Sequence, residues 1–298
     1  PGWSLPVIAR MPEVREGIAA PWKSGELAFK EQWRLARSLK GYDKAIVLPR
    51  SFKSALIPFL ARIPERVGFS GEGRSILLTD ARKRRPTRDG AEITDKTVWR
   101  YLGLGASKEA YERYEFDVPQ PALRIDESNA ENVLAQLGLD AAIPAVAICP
   151  GAEYGPAKQW PLDYHRTLAT KLVERGYQAW VIGGPKDSEA GDTIADGQEG
   201  VFNLCGKTRL EDTVDLFSRC HSVVSHDSGL MHVAAAAGSD VVAIYGSSSP
   251  DFTPPLTGKA TIMRYPIECS PCFDRTCRFG HYKCLTQISV DEVLQACL

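Results

Sequence analysis

Short apolar runs alternate with amphipathic stretches along most of this chain. Ala45-Ile46-Val47-Leu48 is long enough for a strand and too short for a helix; after Pro49-Arg50-Ser51-Phe52-Lys53-Ser54 comes a helical stretch over 55–61. Together they predict one strand–helix step. Arg66-Val67-Gly68-Phe69 and Ile76-Leu77-Leu78 predict further strands, whereas 81–88 is polar, strongly basic and reads as a loop. Apolar positions at Ile93, Val98, Tyr101 and Leu102 predict a helix over 91–104 that ends at Gly103. A second helix is predicted over 126–137, with Asp126 as N-cap and Gly138 just past its end.

Beyond that helix the alternation becomes regular. Ala145-Val146-Ala147-Ile148-Cys149 reads as a buried strand. It is followed by helix 161–175, strand 178–182 closing on Gly183-Gly184, helix 187–196, strand 201–204, helix 210–219, strand 222–225, helix 229–237 and strand 241–245. Helices of this length between strands imply parallel pairing through right-handed crossovers, hence a doubly wound α/β layer. A boundary placed at 140–144 divides the chain into domains 1–141 and 142–298. Ligands of such sheets lie beyond the carboxyl ends of the strands. The Gly-rich and polar turns fall there.

Composition narrows the function classes. With 298 residues, 44% of them hydrophobic, the chain can bury two cores. Lys plus Arg (36) nearly cancels Asp plus Glu (37), so whole-chain charge makes no case for nucleic acid, and an anionic partner needs a local basic patch. No apolar stretch approaches the roughly 20 residues of a membrane-spanning helix, so a membrane role would be peripheral. The opening Pro1-Gly2-Trp3-Ser4-Leu5-Pro6 lacks the basic-then-apolar pattern of a secretory leader. Eight cysteines are not needed as staples in a chain of this length, which points to a reducing cytoplasm.

Candidate chemistry concentrates at Ser225-His226-Asp227-Ser228-Gly229-Leu230-Met231-His232. A strand, a tight turn and a helix start follow one another here. The first N–H groups of a helix have no intrahelical partner and face the positive end of the dipole, so a phosphate is the natural guest. This turn is the expected seat of a nucleotide-linked substrate.

Three segments carry a resemblance: 149–161, with Pro150-Gly151-Ala152-Glu153 and Lys158-Gln159-Trp160-Pro161; 227–236, opening on Asp227-Ser228-Gly229; and 245–256, with Ser248-Ser249-Pro250-Asp251-Phe252-Thr253-Pro254-Pro255. With Leu48-Pro49-Arg50-Ser51-Phe52-Lys53-Ser54-Ala55, and in matching order, they resemble family-nine glycosyltransferases, the ADP-heptose:lipopolysaccharide heptosyltransferases. The Pro150–Glu153 and Ser248–Pro255 stretches lean toward the members that add the second heptose rather than the first or third. The resemblance implies a GT-B architecture, with two Rossmann-like domains facing a central cleft. It also implies inverting transfer of L-glycero-D-manno-heptose from ADP-heptose to the first heptose of the lipopolysaccharide inner core. No cofactor would be required, and the enzyme would work peripherally at the cytoplasmic face of the inner membrane. The same architecture serves nucleotide-sugar epimerases, and a protein that binds nucleotide without turnover also fits it.

Residue roles follow from the resemblance. Lys158 is the expected cationic partner of the leaving phosphates, and Gly151, Ala152, Asp227, Ser228 and Gly229 are expected around the donor. His232 is either a phosphate or sugar contact or a packed core histidine. Glu189 is either a ribose-binding carboxylate or a solvated first-turn residue. Gly183 would admit the nucleoside to the backbone, and Thr208 would contact the adenosine. Acceptor binding falls to Arg50, Ser51, Lys53, Arg84 and Arg85, within a basic stretch that also contains Arg82, Lys83 and Arg88. The family's opening strand and the loop bearing its general-base Asp are expected upstream of Pro1. Asp43 and Asp80 do not lie in the matching motif.

The tail adds Cys269, Cys272, Cys277 and Cys284, with His281 between the last two. A C-x2-C pair followed by two more thiols suggests a structural zinc site, yet the spacing is not a common zinc-finger one, and free or disulfide-paired thiols fit equally.

Overall fold

The computed structural model describes residues 2–22, 26, 28–86, 88–89, 92–93 and 95–298. After a first short helix, α1 (Leu5–Arg10), the chain builds one α/β unit, Ala19–Val118. This contains α2 (Phe29–Ser38), β1 (Lys44–Val47), α3 (Phe52–Leu60), β2 (Glu65–Phe69), β3 (Asp80–Arg82), a hairpin of β4 (Arg88–Asp89) and β5 (Glu92–Ile93), α4 (Thr97–Leu102) and α5 (Lys108–Arg113). Strands β1, β2 and β3 pair in that order, all parallel, with Val47 opposite Gly68 and Gly68 opposite Ala81.

Three expectations for this unit are corrected. The Ile76–Leu78 strand is instead a 3-10 turn, Arg74–Leu77. The fully buried Arg74 holds it there by donating from Nε to the Phe69 carbonyl (2.6 Å) and from Nη1 to the Pro49 carbonyl. The basic stretch begins as a strand, not a loop, because the buried Arg82 donates to Asp80 Oδ2 (2.7 Å) and to the Ala106 carbonyl (2.9 Å). The helix expected over 91–104 starts only at Thr97, since 92–93 pair in the hairpin; positions 91 and 94 lie outside the described residues.

The second unit joins Pro1–Ile18 to Pro119–Leu298. It contains α6 (Glu127–Leu137), β6 (Ala145–Cys149), α7 (Leu162–Val173), β7 (Gln178–Val181), α8 (Ser188–Ala195), β8 (Val201–Asn203), α9 (Leu210–Arg219), β9 (Ser222–His226), α10 (Gly229–Ala236), β10 (Asp240–Tyr245), β11 (Ala260–Arg264), α11 (Lys283–Thr286) and α12 (Val290–Cys297). The boundary expected near 140–144 therefore moves to Val118/Pro119. The reason is burial. Val133 and Leu134 of α6 share a core with Trp180, Leu216, Phe217 and Met231. The fully buried Asp215 of α9 accepts from Arg10 Nη2 (2.6 Å), the Asp126 amide (2.9 Å) and Asn129 Nδ2 (2.8 Å), which ties α1 and α6 to this unit.

The sheet of this unit is wholly parallel, in the order β11-β10-β9-β6-β7-β8. Counted from β6, that is the Rossmann order, with strand direction of progression reversing between β6 and β9. Val146, Ile148, Leu168, Leu172, Ile194 and Leu294 fill the core on the other face of the sheet. Near-continuous burial of β6 and β9 is what a sheet covered on both sides demands. Among the described residues, no helix is long and apolar enough to cross a membrane.

Candidate active site

The crevice of a doubly wound sheet opens where the strand order reverses, here beyond the carboxyl ends of β6 and β9. The loop after β6 carries Gly151, Ala152 and Lys158; the turn after β9 carries Asp227, Ser228 and Gly229. Lys158 Nζ lies 2.5 Å from Asp227 Oδ2 and 5.0 Å from the Tyr154 ring centroid. The other Asp227 oxygen accepts from Thr253 Oγ1 (2.9 Å), and Tyr245 donates its hydroxyl to the Thr253 carbonyl (2.7 Å). The two sequence segments 149–161 and 245–256 thus meet around the turn. Burial pushes the Tyr245 hydroxyl pKa up.

Ser228 is the N-cap of α10 in an extended conformation, and its side chain does not cap the helix. The hydroxyl instead lies 3.2 Å from Ser225 Oγ. The first N–H groups of α10 therefore receive no capping bond from the residue placed to give one. His232, one turn on, is exposed, so it is not a packed core histidine.

The loop bearing Lys158 is threaded tightly. Gly155 has φ +146°, and a Cβ there would lie 2.6 Å from the Arg275 carbonyl, which accepts from the Ala157 amide (3.0 Å). Ala157 O accepts in turn from the Ser247 amide (3.0 Å). Two residues past Lys158, the Trp160 amide donates to Nε2 of the fully buried His226 (2.8 Å). Burial, assisted by the charge of Lys158, pushes the His226 pKa down to about 4. Sequence reasoning missed His226, whose only local signal was its place beside Asp227.

The glycines have a role that the sequence did not disclose. A Cβ on Gly151 would lie 2.6 Å from Asp187 Oδ1, and one on Gly183 would lie 2.7 Å from Asp187 Oδ2. Both are bare because the Asp187 carboxylate fills the space while accepting from the Gly184 amide (2.8 Å). Glu189 is exposed in the first turn of α8. Thr208 Oγ1 lies 3.2 Å from Thr213 Oγ1 at the start of α9. All these residues stand at carboxyl ends of strands of one sheet.

In the smaller unit, Arg50, Ser51 and Lys53 follow β1, and Arg84 and Arg85 follow β3. Arg50 and Arg84 are exposed, and Ser51 is the N-cap of α3. Arg85 is not a free cation: its guanidinium lies 4.1 Å from the Tyr114 ring centroid and donates to the Glu112 carbonyl. Arg82 and Asp80 are likewise spent on each other. The Arg88 side chain lies outside the described residues.

Cys269, Cys272, Cys277 and Cys284 line one small cavity together with His281 and Ser247. All four are free thiols in this structure. Among the described residues, no group of three or more His, Cys, Asp or Glu side chains is disposed to hold a metal ion. Burial acts to raise the Cys277 thiol pKa, but the backbone amides of Tyr282, Phe279, His281 and Gly280 overcome it and lower it.

A Rossmann-ordered parallel sheet with a Gly-containing helix-start turn at its switch point, in a chain that also holds a second parallel α/β unit, is the make-up of a GT-B glycosyltransferase. The chain belongs to glycosyltransferase family 9 (heptosyltransferase), whose family model matches residues 32–283. It is 42% identical to lipopolysaccharide heptosyltransferase 2 of Salmonella typhimurium, across 99% of this chain and 86% of that protein. By contrast, it is 28% identical to lipopolysaccharide heptosyltransferase 1 of Pseudomonas aeruginosa across 41% of this chain and 34% of that one. The solved structure of E. coli ADP-heptose lipopolysaccharide heptosyltransferase II superposes with a TM-score of 0.82 at 38% identity, covering 99% of this chain and 86% of that chain.

Proposed function

We propose that this enzyme transfers L-glycero-D-manno-heptose from ADP-heptose to the first heptose of the lipopolysaccharide inner core, inverting the anomeric centre. The observation that carries the reading is the pairing of Lys158 with the Asp227-Ser228-Gly229 turn at the switch point of the sheet. As the acceptor hydroxyl gives up its proton to a general base and its oxygen bonds to the anomeric carbon, the bond to the diphosphate oxygen breaks and ADP gathers negative charge. A positioned ammonium together with helix N–H groups can stabilise that charge without a metal in any step. Glu189 and Thr208 supply a carboxylate and a hydroxyl for the nucleoside. Arg50, Lys53 and Arg84 supply cations for a phosphorylated acceptor, and Ser51 a hydroxyl. The acceptor is lipid-linked, so the enzyme works against the cytoplasmic face of the inner membrane.

The test is a transfer assay with ADP-heptose and a mono-heptosylated acceptor. ADP and a di-heptosylated product should form only when both substrates are present. Conversion of the nucleotide sugar alone would indicate an epimerase, and ADP affinity without turnover would indicate a binding protein. Co-sedimentation with anionic vesicles checks the membrane contact, which the reading requires to weaken with salt.

A further inference from the structure

We infer that His226 is a positioning residue for transfer, acting through Trp160 to set where Lys158 meets the leaving diphosphate. The inference rests on the role given to Lys158 above. Its basis is a closed circuit of four residues. His226 ends β9 and immediately precedes Asp227; Trp160 lies two residues after Lys158. The Trp160 amide donates to His226 Nε2 at 2.8 Å, while Lys158 Nζ reaches back to Asp227 Oδ2 at 2.5 Å. The loop is thus gripped at two points by two neighbouring residues of one strand end. One grip must loosen when Lys158 turns from Asp227 to phosphate. The grip on Trp160 has no such reason to change.

The grip also has only one workable protonation state. Accepting from the Trp160 amide requires a lone pair on Nε2, which leaves the His226 proton on Nδ1. His165, from α7, brings its own Nε2 to 3.3 Å from the same atom, closing that side of the ring to water. The His165 ring stands edge-on to Trp160, with centroids 5.1 Å apart and an interplanar angle of 89°. Trp160 is pinned at its far end as well, donating Nε1–H to the Ile288 carbonyl (3.0 Å). With both histidines fully buried, water cannot replace the bond.

Glutamine can place Oε1 near the position of His Nε2, whereas asparagine reaches only as far as Nδ1. Both are uncharged amides, so H226Q and H226N impose a similar polar burden on the core. Under saturating donor and acceptor, H226Q should keep kcat within about threefold of wild type, and H226N should lose about 100-fold, the scale of a misplacement near 1 Å. KM for ADP-heptose should move less than kcat. In a K158M background the His226→Asn change should cost no further kcat, because the group it positions is gone. Equal kcat for H226Q and H226N, or multiplicative losses in the double variant, would overturn the inference. Absence of heptose transfer by the wild-type chain would instead overturn the functional reading itself. H226N, which leaves the buried Trp160 amide without its acceptor, should melt below H226Q, so kcat is compared well below both melting midpoints, which keeps a folding defect from imitating the result.

Discussion

Replacing Lys158 by methionine separates the chemistry of the site from its stability. The Lys158 side chain is 15% exposed and the Asp227 side chain 5% exposed, with the ammonium 2.5 Å from the carboxylate. Removing one partner of a fully buried pair costs about 3–5 kcal/mol, because the other charge is stranded. Here Thr253 still donates to Asp227, so K158M should lose toward the lower end, about 3 kcal/mol. In transfer, losing one positioned donor to the developing diphosphate charge should lower kcat by about 10²–10³, or ~2.7–4 kcal/mol. The two effects part company in K158M/D227N. Neutralising the stranded carboxylate should restore most of the stability, measured by urea denaturation, while ADP release stays slow. If the double variant recovered kcat to within about threefold of wild type, Lys158 could not be the group that meets the leaving charge.

Three further outcomes follow from the geometry. D215A removes a fully buried acceptor of three hydrogen bonds that join α1 and α6 to α9, and it should cost about 3–5 kcal/mol in urea denaturation; a loss below about 1 kcal/mol would contradict the clasp. Burial lowers the pKa of His165, with the facing His226 adding to it, and lowers His226 to about 4, so the unfolded chain binds more protons than the folded one below the unfolded value of about 6.5. Their contribution is full above that pH and is lost as pH falls toward 4, by up to about 1.4 kcal/mol per unit for each histidine; a midpoint unchanged between pH 7 and pH 5 would refute it. Cys277, whose thiolate the backbone amides favour, should be the cysteine first alkylated by iodoacetamide at neutral pH, read by peptide mass mapping.

Much of the larger unit was legible because its pattern is local and doubly buried. Asp126 accepts from the Asn129 amide (3.0 Å) and Gly138 takes φ +68°, as a helix N-cap and C-cap require. The short strand 260–264 escaped notice because half-exposed Ala-Thr-Ile-Met-Arg carries no clear period. Arg82 and Arg85 defeated the reading of a basic stretch, since nothing in a run of arginines tells which guanidiniums find carbonyls or rings. The Asp187 carboxylate between Gly151 and Gly183 was invisible for the same reason: close approach is a property of two distant segments.

Alternation of apolar strands with amphipathic helices, and an Asp-Ser-Gly turn at a helix start, determined by themselves a parallel α/β layer and a helix N-terminus with open N–H groups at a strand end, because periodicity and unpaired helix N–H groups are properties of contiguous residues. Only the tertiary structure decided that β6 and β9 are neighbours, that Asp227 answers Lys158, that His226 holds Trp160, and that residues 1–18 and 119–141 belong with the larger sheet. Those outcomes depend on which buried donor finds which acceptor across the chain, and satisfying buried polar groups is a condition on the whole fold.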